Sequence, residues 1–131
     1  MIKIFRVWDV EQKRYDTRDF LLDDEGNIFT EESFAYQDYL ECWKRDSYVV
    51  EFYTGLKDKN GIEIYEGDIL NGYVGYVVTF VDGSDSAALG MPIGWYQQRD
   101  NFESWRQLEV GDVKEVIGNI HENKELLEEV E

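Results

Sequence analysis

Apolar and polar residues alternate over short stretches of this 131-residue chain, and turn-forming clusters separate the stretches. A period of two marks strands with one buried face. Ile2 to Trp8 alternates in this way, with Ile2, Ile4, Arg6 and Trp8 on one face and Lys3, Phe5 and Val7 on the other. The polar run Asp9 to Arg14 reads as a connection, and Tyr15 to Leu22 as the returning strand. Asp23 to Asn27 is turn chemistry, since Asp, Asn and Gly tolerate positive φ and bond their own backbone. Ile28 and Phe29 begin another short strand. Thr30 to Asp46 is the best helix candidate: Thr30 caps it, Glu31 and Glu32 suit its N-terminal dipole, and Lys44 and Arg45 suit the other end.

Tyr48 to Thr54, rich in β-branched and aromatic residues, predicts a strong strand. Asp58 to Gly61 is a hairpin turn with the favoured Asn-Gly pair, and Ile62 to Tyr65 follows as a strand. Glu66 to Asp68 bends the chain into Ile69 and Leu70, and Asn71-Gly72 makes a second turn. Tyr73 to Val81 reads as the longest strand, closed by Asp82 to Asp85. Ser86 to Gly94, with small residues and Pro92, reads as a mobile loop. Trp95 to Gln98, Ser104 to Leu108 and Val113 to Ile120 predict strands, and Glu122 to Glu131 a short acidic helix. Many short strands with turn signals every 8–12 residues predict a β-rich chain, a small barrel or sandwich.

Charge narrows the functions. Lys and Arg number 13 and Asp and Glu 29, so 13 − 29 gives a net charge of −16. That excludes nonspecific nucleic-acid binding, which relies on cations displacing phosphate counterions, and docking on an anionic membrane. The acidity reads as solubility, as an acidic face for a basic partner, or as a nucleic-acid mimic. Cys42 is the only cysteine, which excludes an intrachain disulfide and a multi-cysteine metal site. The opening residues lack a signal-peptide core, and no apolar run approaches a membrane span. Together these predict a soluble protein of a reducing cytoplasm.

The stretch Tyr53-Thr54-Gly55-Leu56-Lys57-Asp58-Lys59-Asn60-Gly61-Ile62-Glu63-Ile64-Tyr65-Glu66-Gly67-Asp68-Ile69 resembles the signature of the YopX family of phage and prophage proteins. Phe5-Arg6-Val7-Trp8-Asp9 resembles the family's opening, and Glu115 to Leu127 its closing block. The chain departs from that block at His121, where the family usually has Tyr, and at Lys124, where it usually has Pro. The resemblance implies an SH3-like barrel built from the central and C-terminal segments, a prophage origin and a bacterial host cell. It implies no particular activity.

Read as physical chemistry, the signature is a folding motif. Gly55, Gly61, Gly67 and Gly118 punctuate bends that need positive φ. Asp58 and Asn60 close the hairpin through side-chain bonds to backbone. Ile62, Ile64, Ile69, Val116 and Ile120 are inward positions. An EF-hand register fails, because Leu56 and Gly67 fall on ligand positions. A P-loop reading of Gly67 to Gly72 fails because Tyr73 stands where Lys is needed. His121 is the sole histidine and reads as packing at a strand end, although Asn119 and Glu122 could orient it. Cys42, beside Trp43, Lys44 and Arg45, reads as a small packed thiol. Acidic pairs such as Asp23 with Asp24 and Asp82 with Asp85 lie in polar turns, away from the burial that acid/base work needs.

Trp95, Tyr96, Phe102 and Trp105 cluster around the glycine-rich loop, and Tyr36, Tyr39 and Trp43 form a second group. Aromatics usually build the core; exposed beside acids, the first group would form a protein-interaction surface. The expectation is therefore a mainly β (β-rich α+β) chain with one or two short helices. Residues 1–47 form an N-terminal β segment plus helix, and 48–131 an SH3-like barrel domain, either separate or as one compact unit with 1–47. Its function is expected to be that of a non-enzymatic protein-binding accessory protein without cofactor or metal, its partner encoded by host or phage. Two alternatives are an acidic nucleic-acid mimic that inhibits a DNA-binding protein and a metal-assisted hydrolase. Exposed edge strands would allow homo-oligomers.

Overall fold

The computed structural model describes residues 4–24, 28–30, 47–71, 75–99, 104–108 and 114–127. Its strands are β1 (Phe5–Asp9), β2 (Arg14–Asp16), β3 (Phe20–Leu22), β4 (Ile28–Thr30), β5 (Tyr48–Lys57), β6 (Glu63–Tyr65), β7 (Asp68–Leu70), β8 (Tyr76–Val81), β9 (Gly94–Arg99), β10 (Ser104–Gln107) and β11 (Val116–Asn119). One helix, α1 (Gly83–Leu89), lies between β8 and β9, and a 3-10 turn covers Lys124–Leu127. The protein is mainly β, as expected, and a five-stranded antiparallel sheet in the order β10-β9-β8-β7-β11 forms a curled half-barrel. A second sheet runs β2-β1-β5-β6, and β3 pairs with β4. The chain divides into two compact units: Phe5–Glu51, and Phe52–Glu131 with Met1–Ile4.

The core of the larger unit is Ile64, Leu70, Val78 and Leu108, with Leu56, Tyr76, Trp95 and Val116 packed against it. Ile69, also fully buried, belongs to the other face of the sheet, because neighbours along a strand alternate. There the chain passes so close that a Cβ on Gly75 would collide with Ile69 and lie 2.9 Å from the Leu126 carbonyl oxygen.

Asp58 connects the β5–β6 hairpin to β11. It is only 7% exposed. Its Oδ1 accepts from the Asn60 and Ile62 N–H groups at 2.8 and 2.9 Å. Its Oδ2 accepts from the Val116 N–H at 3.0 Å. Burial pushes this carboxyl's pKa up, but the bonds from Val116, Ile62 and Asn60 outweigh burial and hold it below the ordinary value. Asn60 does not close the hairpin as expected; its side chain reaches across to Glu115 Oε2 at 3.0 Å. Asn71 adds to the same clamp, its Oδ1 accepting from the Glu115 N–H at 2.8 Å.

Other expectations need correction. Tyr15 to Leu22 is two strands, because the Asp16 carboxylate accepts the Arg18 N–H at 3.0 Å and turns the chain. Among the described residues the longest strand is β5; Tyr73 and Val74 lie outside them, and β8 runs from Tyr76, since the Gly75 N–H goes to the Leu126 carbonyl. Ser86 to Gly94 begins inside a helix. Asp82 caps α1 by accepting the Asp85 N–H at 2.8 Å, and Gly90 ends it at φ +70. Gly55, Gly61 and Gly67 have positive φ, but Gly118 does not. A Cβ on Gly118 would come within 2.6 Å of Asn123 Cγ, so Gly118 is there for close approach. Ile62 is exposed, whereas Ile64 and Ile69 are buried. The described part of Glu122 to Glu131 is a 3-10 turn. The helix expected over Thr30 to Asp46 lies outside the described residues, apart from Thr30 at the end of β4.

Asp58→Asn would turn an acceptor into an amide donor facing an N–H, costing about 1–3 kcal/mol at pH 7 in urea unfolding. A lowered folded-state pKa contributes stability above the unfolded value and loses it as pH falls through the folded value. The gap between wild type and variant should therefore narrow below the ordinary carboxyl value of 3.8.

Candidate functional site

Register decides where the aromatics point, because directly paired residues share a face. Trp95 pairs with Phe80, and Val78 with Gln97, so these four side chains share the core-facing side. Tyr96 pairs with Thr79, and Trp105 with Gln98, on the opposite side. Tyr96 and Trp105 meet edge-on with centroids 6.0 Å apart. Tyr96 is 6% exposed, and its hydroxyl donates to the Pro92 carbonyl at 2.9 Å. Phe102 lies outside the described residues. The three described residues do not share a face: Trp95 is on one side and Tyr96 and Trp105 on the other, so Tyr96 is a supporting residue and Trp95 reaches the surface described next.

That surface gathers around α1 and the loop that leaves it. Phe80 is 38% exposed, Leu89 46% and Ile93 61%. Phe80 and the half-buried Trp95 lie with ring centroids 4.9 Å apart. A Cβ on Gly83, in the first turn of α1, would sit 3.9 Å from Ile93 Cδ1. Three hydrogen bonds hold the loop in place. The Gly90 N–H donates to the Ser86 carbonyl, the Ser86 hydroxyl to the Met91 carbonyl, and the Tyr96 hydroxyl to the Pro92 carbonyl. The expectation of a mobile loop missed these tethers. An exposed isoleucine on a fixed loop is an anchor presented with little further ordering to do. The carboxylates nearby, Asp82 and Asp85, are both exposed.

The other polar groups stabilise local structure. In the smaller unit the buried Glu51 Oε1 accepts from Arg6 Nε and from the Tyr15 hydroxyl, each at 2.9 Å. The Arg6 guanidinium stacks 4.5 Å from the Tyr15 ring centroid, and Trp8 meets Tyr15 edge-on. Arg6 and Trp8, from the opening block, thus face one carboxylate network. Asn119 Oδ1 accepts the backbone N–H groups of His121 and Glu122, and its amide donates to Glu122 Oε1. Its contact to His121 is made to backbone, as a turn requires. Cys42, Tyr36, Tyr39 and Trp43 lie outside the described residues. Among the described residues no group of three or more His, Cys, Asp or Glu side chains is placed to hold a metal ion, and no helix is long and apolar enough to cross a membrane.

A small antiparallel half-barrel with an apolar, acid-flanked end is the class of protein these features define. The chain belongs to the YopX family: the family model, described as YopX protein, matches residues 4–128. It is similar in structure to protein EF1440 from Enterococcus faecalis, with a TM-score of 0.56 and 27% identity over 98% of this chain and 99% of that one. It also shares its fold with protein yopX from Bacillus subtilis, with a TM-score of 0.54 and 18% identity over 100% of both chains. No curated protein matches the sequence significantly.

Two measurements check this assignment of roles. Ile93→Ser should change unfolding free energy by no more than about 0.5 kcal/mol, as an exposed position does, whereas Trp95→Ala, packed on the core, should cost about 2–3 kcal/mol. Glu51→Ala should cost on the order of 3 kcal/mol by removing the buried acceptor that the Arg6 guanidinium and the Tyr15 hydroxyl share, and Arg6→Leu with Glu51→Leu should recover part of that loss.

Proposed function

We propose that this YopX-family protein is a non-enzymatic accessory protein of prophage origin that works in the bacterial cytoplasm by binding another protein. It does so through the surface formed by Phe80, Leu89, Ile93 and Trp95. The observation that carries the reading is Ile93, 61% exposed on a loop fixed by three hydrogen bonds. Apolar side chains left outside a protein with ample polar surface mark interaction sites when they cluster. Prepaying the order of the loop leaves more of the contact energy for affinity.

The use of the polar side chains supports the non-enzymatic part. Asp58, Asn71, Asp82 and Asn119 all accept backbone N–H groups in turns and caps. Such bonds fix chain direction, and an acid/base site would need carboxyls released from them.

The test compares tagged wild-type protein with Ile93→Ser and Phe80→Ser as bait in host-cell lysate. The wild type should retain a protein in stoichiometric amount that both variants lose, with circular dichroism unchanged in both and the thermal midpoint unchanged for Ile93→Ser. Equal retention by all three, or retention by none, overturns the reading.

A further inference from the structure

Resting on that surface being a protein-binding site, we infer that the segment it takes is cationic: a basic peptide segment with an aliphatic or aromatic anchor. The argument begins in the sequence. From Asn60 to Gln98 there is no Lys, Arg or His, while Glu63, Glu66, Asp68, Asp82 and Asp85 all fall in that stretch. It supplies β6, β7, β8, α1 and almost all of β9. The charges on β8 and α1 and at the cap of α1 are therefore only negative, and the one cation of β9, Arg99, is its last residue, four positions past Trp95.

The carboxylates are also close to the anchor. Asp82 caps α1 and Asp85 stands in its first turn, on either side of Gly83, whose neighbour is Ile93. The cation on the adjoining strand, Arg106, lies opposite Gln97, two residues along β9 from Trp95. It leaves the Asp82 side of the patch to the acids. Screening over roughly 8 Å at physiological ionic strength keeps these charges relevant only to a ligand that touches them.

A second copy of this chain is the poorer occupant. It would bring another net charge of −16 against the same acids. An anionic peptide meets the same repulsion. A cationic segment gains attraction on approach, and its apolar side chain then covers Ile93, Phe80 and Trp95. Charge would govern encounter and selection, and the anchor would govern residence.

The experiment uses the full chain, isotope-labelled, and three short synthetic peptides of equal length: an amphipathic Lys/Leu peptide, a Glu/Leu peptide and a Lys/Ser peptide. Amide shifts are followed at about 0.15 M salt and again at about 0.5 M. The Lys/Leu peptide should bind with its largest shifts between Phe80 and Trp95. Ile93→Ser should weaken it at least about tenfold. Asp82→Asn with Asp85→Asn, which keeps a capping side chain, should weaken it several-fold at the lower salt and much less at the higher. Lys/Ser binding as tightly with scattered shifts would reduce the effect to net charge and overturn the inference. Largest Lys/Leu shifts outside Phe80 to Trp95 would overturn it as well. Glu/Leu binding equally well at the patch would overturn the cationic partner while leaving the binding surface intact. A lysate protein that depends on Ile93 but is not displaced by the Lys/Leu peptide would do the same.

Discussion

The larger unit depends on one carboxylate. Asp58 accepts two N–H groups of its own turn and one from Val116, at the start of β11. Residues so distant in sequence meet only at the entropic cost of closing a long loop, and a single hydrogen bond in water offsets little of that. Here the bond is charge-assisted and shielded, and it does not act alone. Asn60 reaches Glu115, Asn71 takes the Glu115 N–H, and the Lys114 ammonium donates to the Asn71 carbonyl at 2.9 Å. Once β11 is seated, Val116 packs on the core and Gly118 pairs with Ile69. The edge of the half-barrel is thus fixed from the turn outwards.

This arrangement explains why so much of the fold was legible. Most strands of the half-barrel are short and run into a turn residue: Asn71 follows β7, Asp82 follows β8, and Asn119 ends β11. Turn chemistry is local, so Asp58 to Gly61 and Glu66 to Asp68 could be placed without knowing any partner. Long-range use of the same residues could not be read. Nothing local says that Asn60 bonds Glu115 instead of its own turn, or that Gly118 is small to admit Asn123. The fully buried Gln97 is similar: only its pairing with Val78 puts a polar side chain on the core side of β9.

The binding surface was half legible for a related reason. The aromatics around residues 95–105 were visible as a group, but a strand sends neighbours to opposite faces. Trp95 and Tyr96 therefore cannot serve one surface. Helix α1 escaped because six residues of Gly, Ser, Asp and Ala with a single Leu at the end have little hydrophobic periodicity, and helices of that length are marginal without tertiary support. Its signals were the caps, Asp82 before and Gly90 after. Reading them would have turned a loop into a platform and drawn attention to Phe80, Leu89 and Ile93, which no pattern of burial had marked.

Acidity and the exposed apolar end then become parts of one arrangement on the proposed reading. An uncovered Ile93 beside Phe80 and Trp95 is an aggregation liability in a neutral protein. With a net charge of −16, two copies repel each other before their apolar ends can meet, so the patch can stay open in solution. The same field does not oppose a basic segment. Solubility and selectivity thus come from the same carboxylates, and the absence of cations from Asn60 to Gln98 keeps that field unopposed along β8, α1 and the loop that carries Ile93. A lysine introduced anywhere along that stretch on the patch side would weaken both at once.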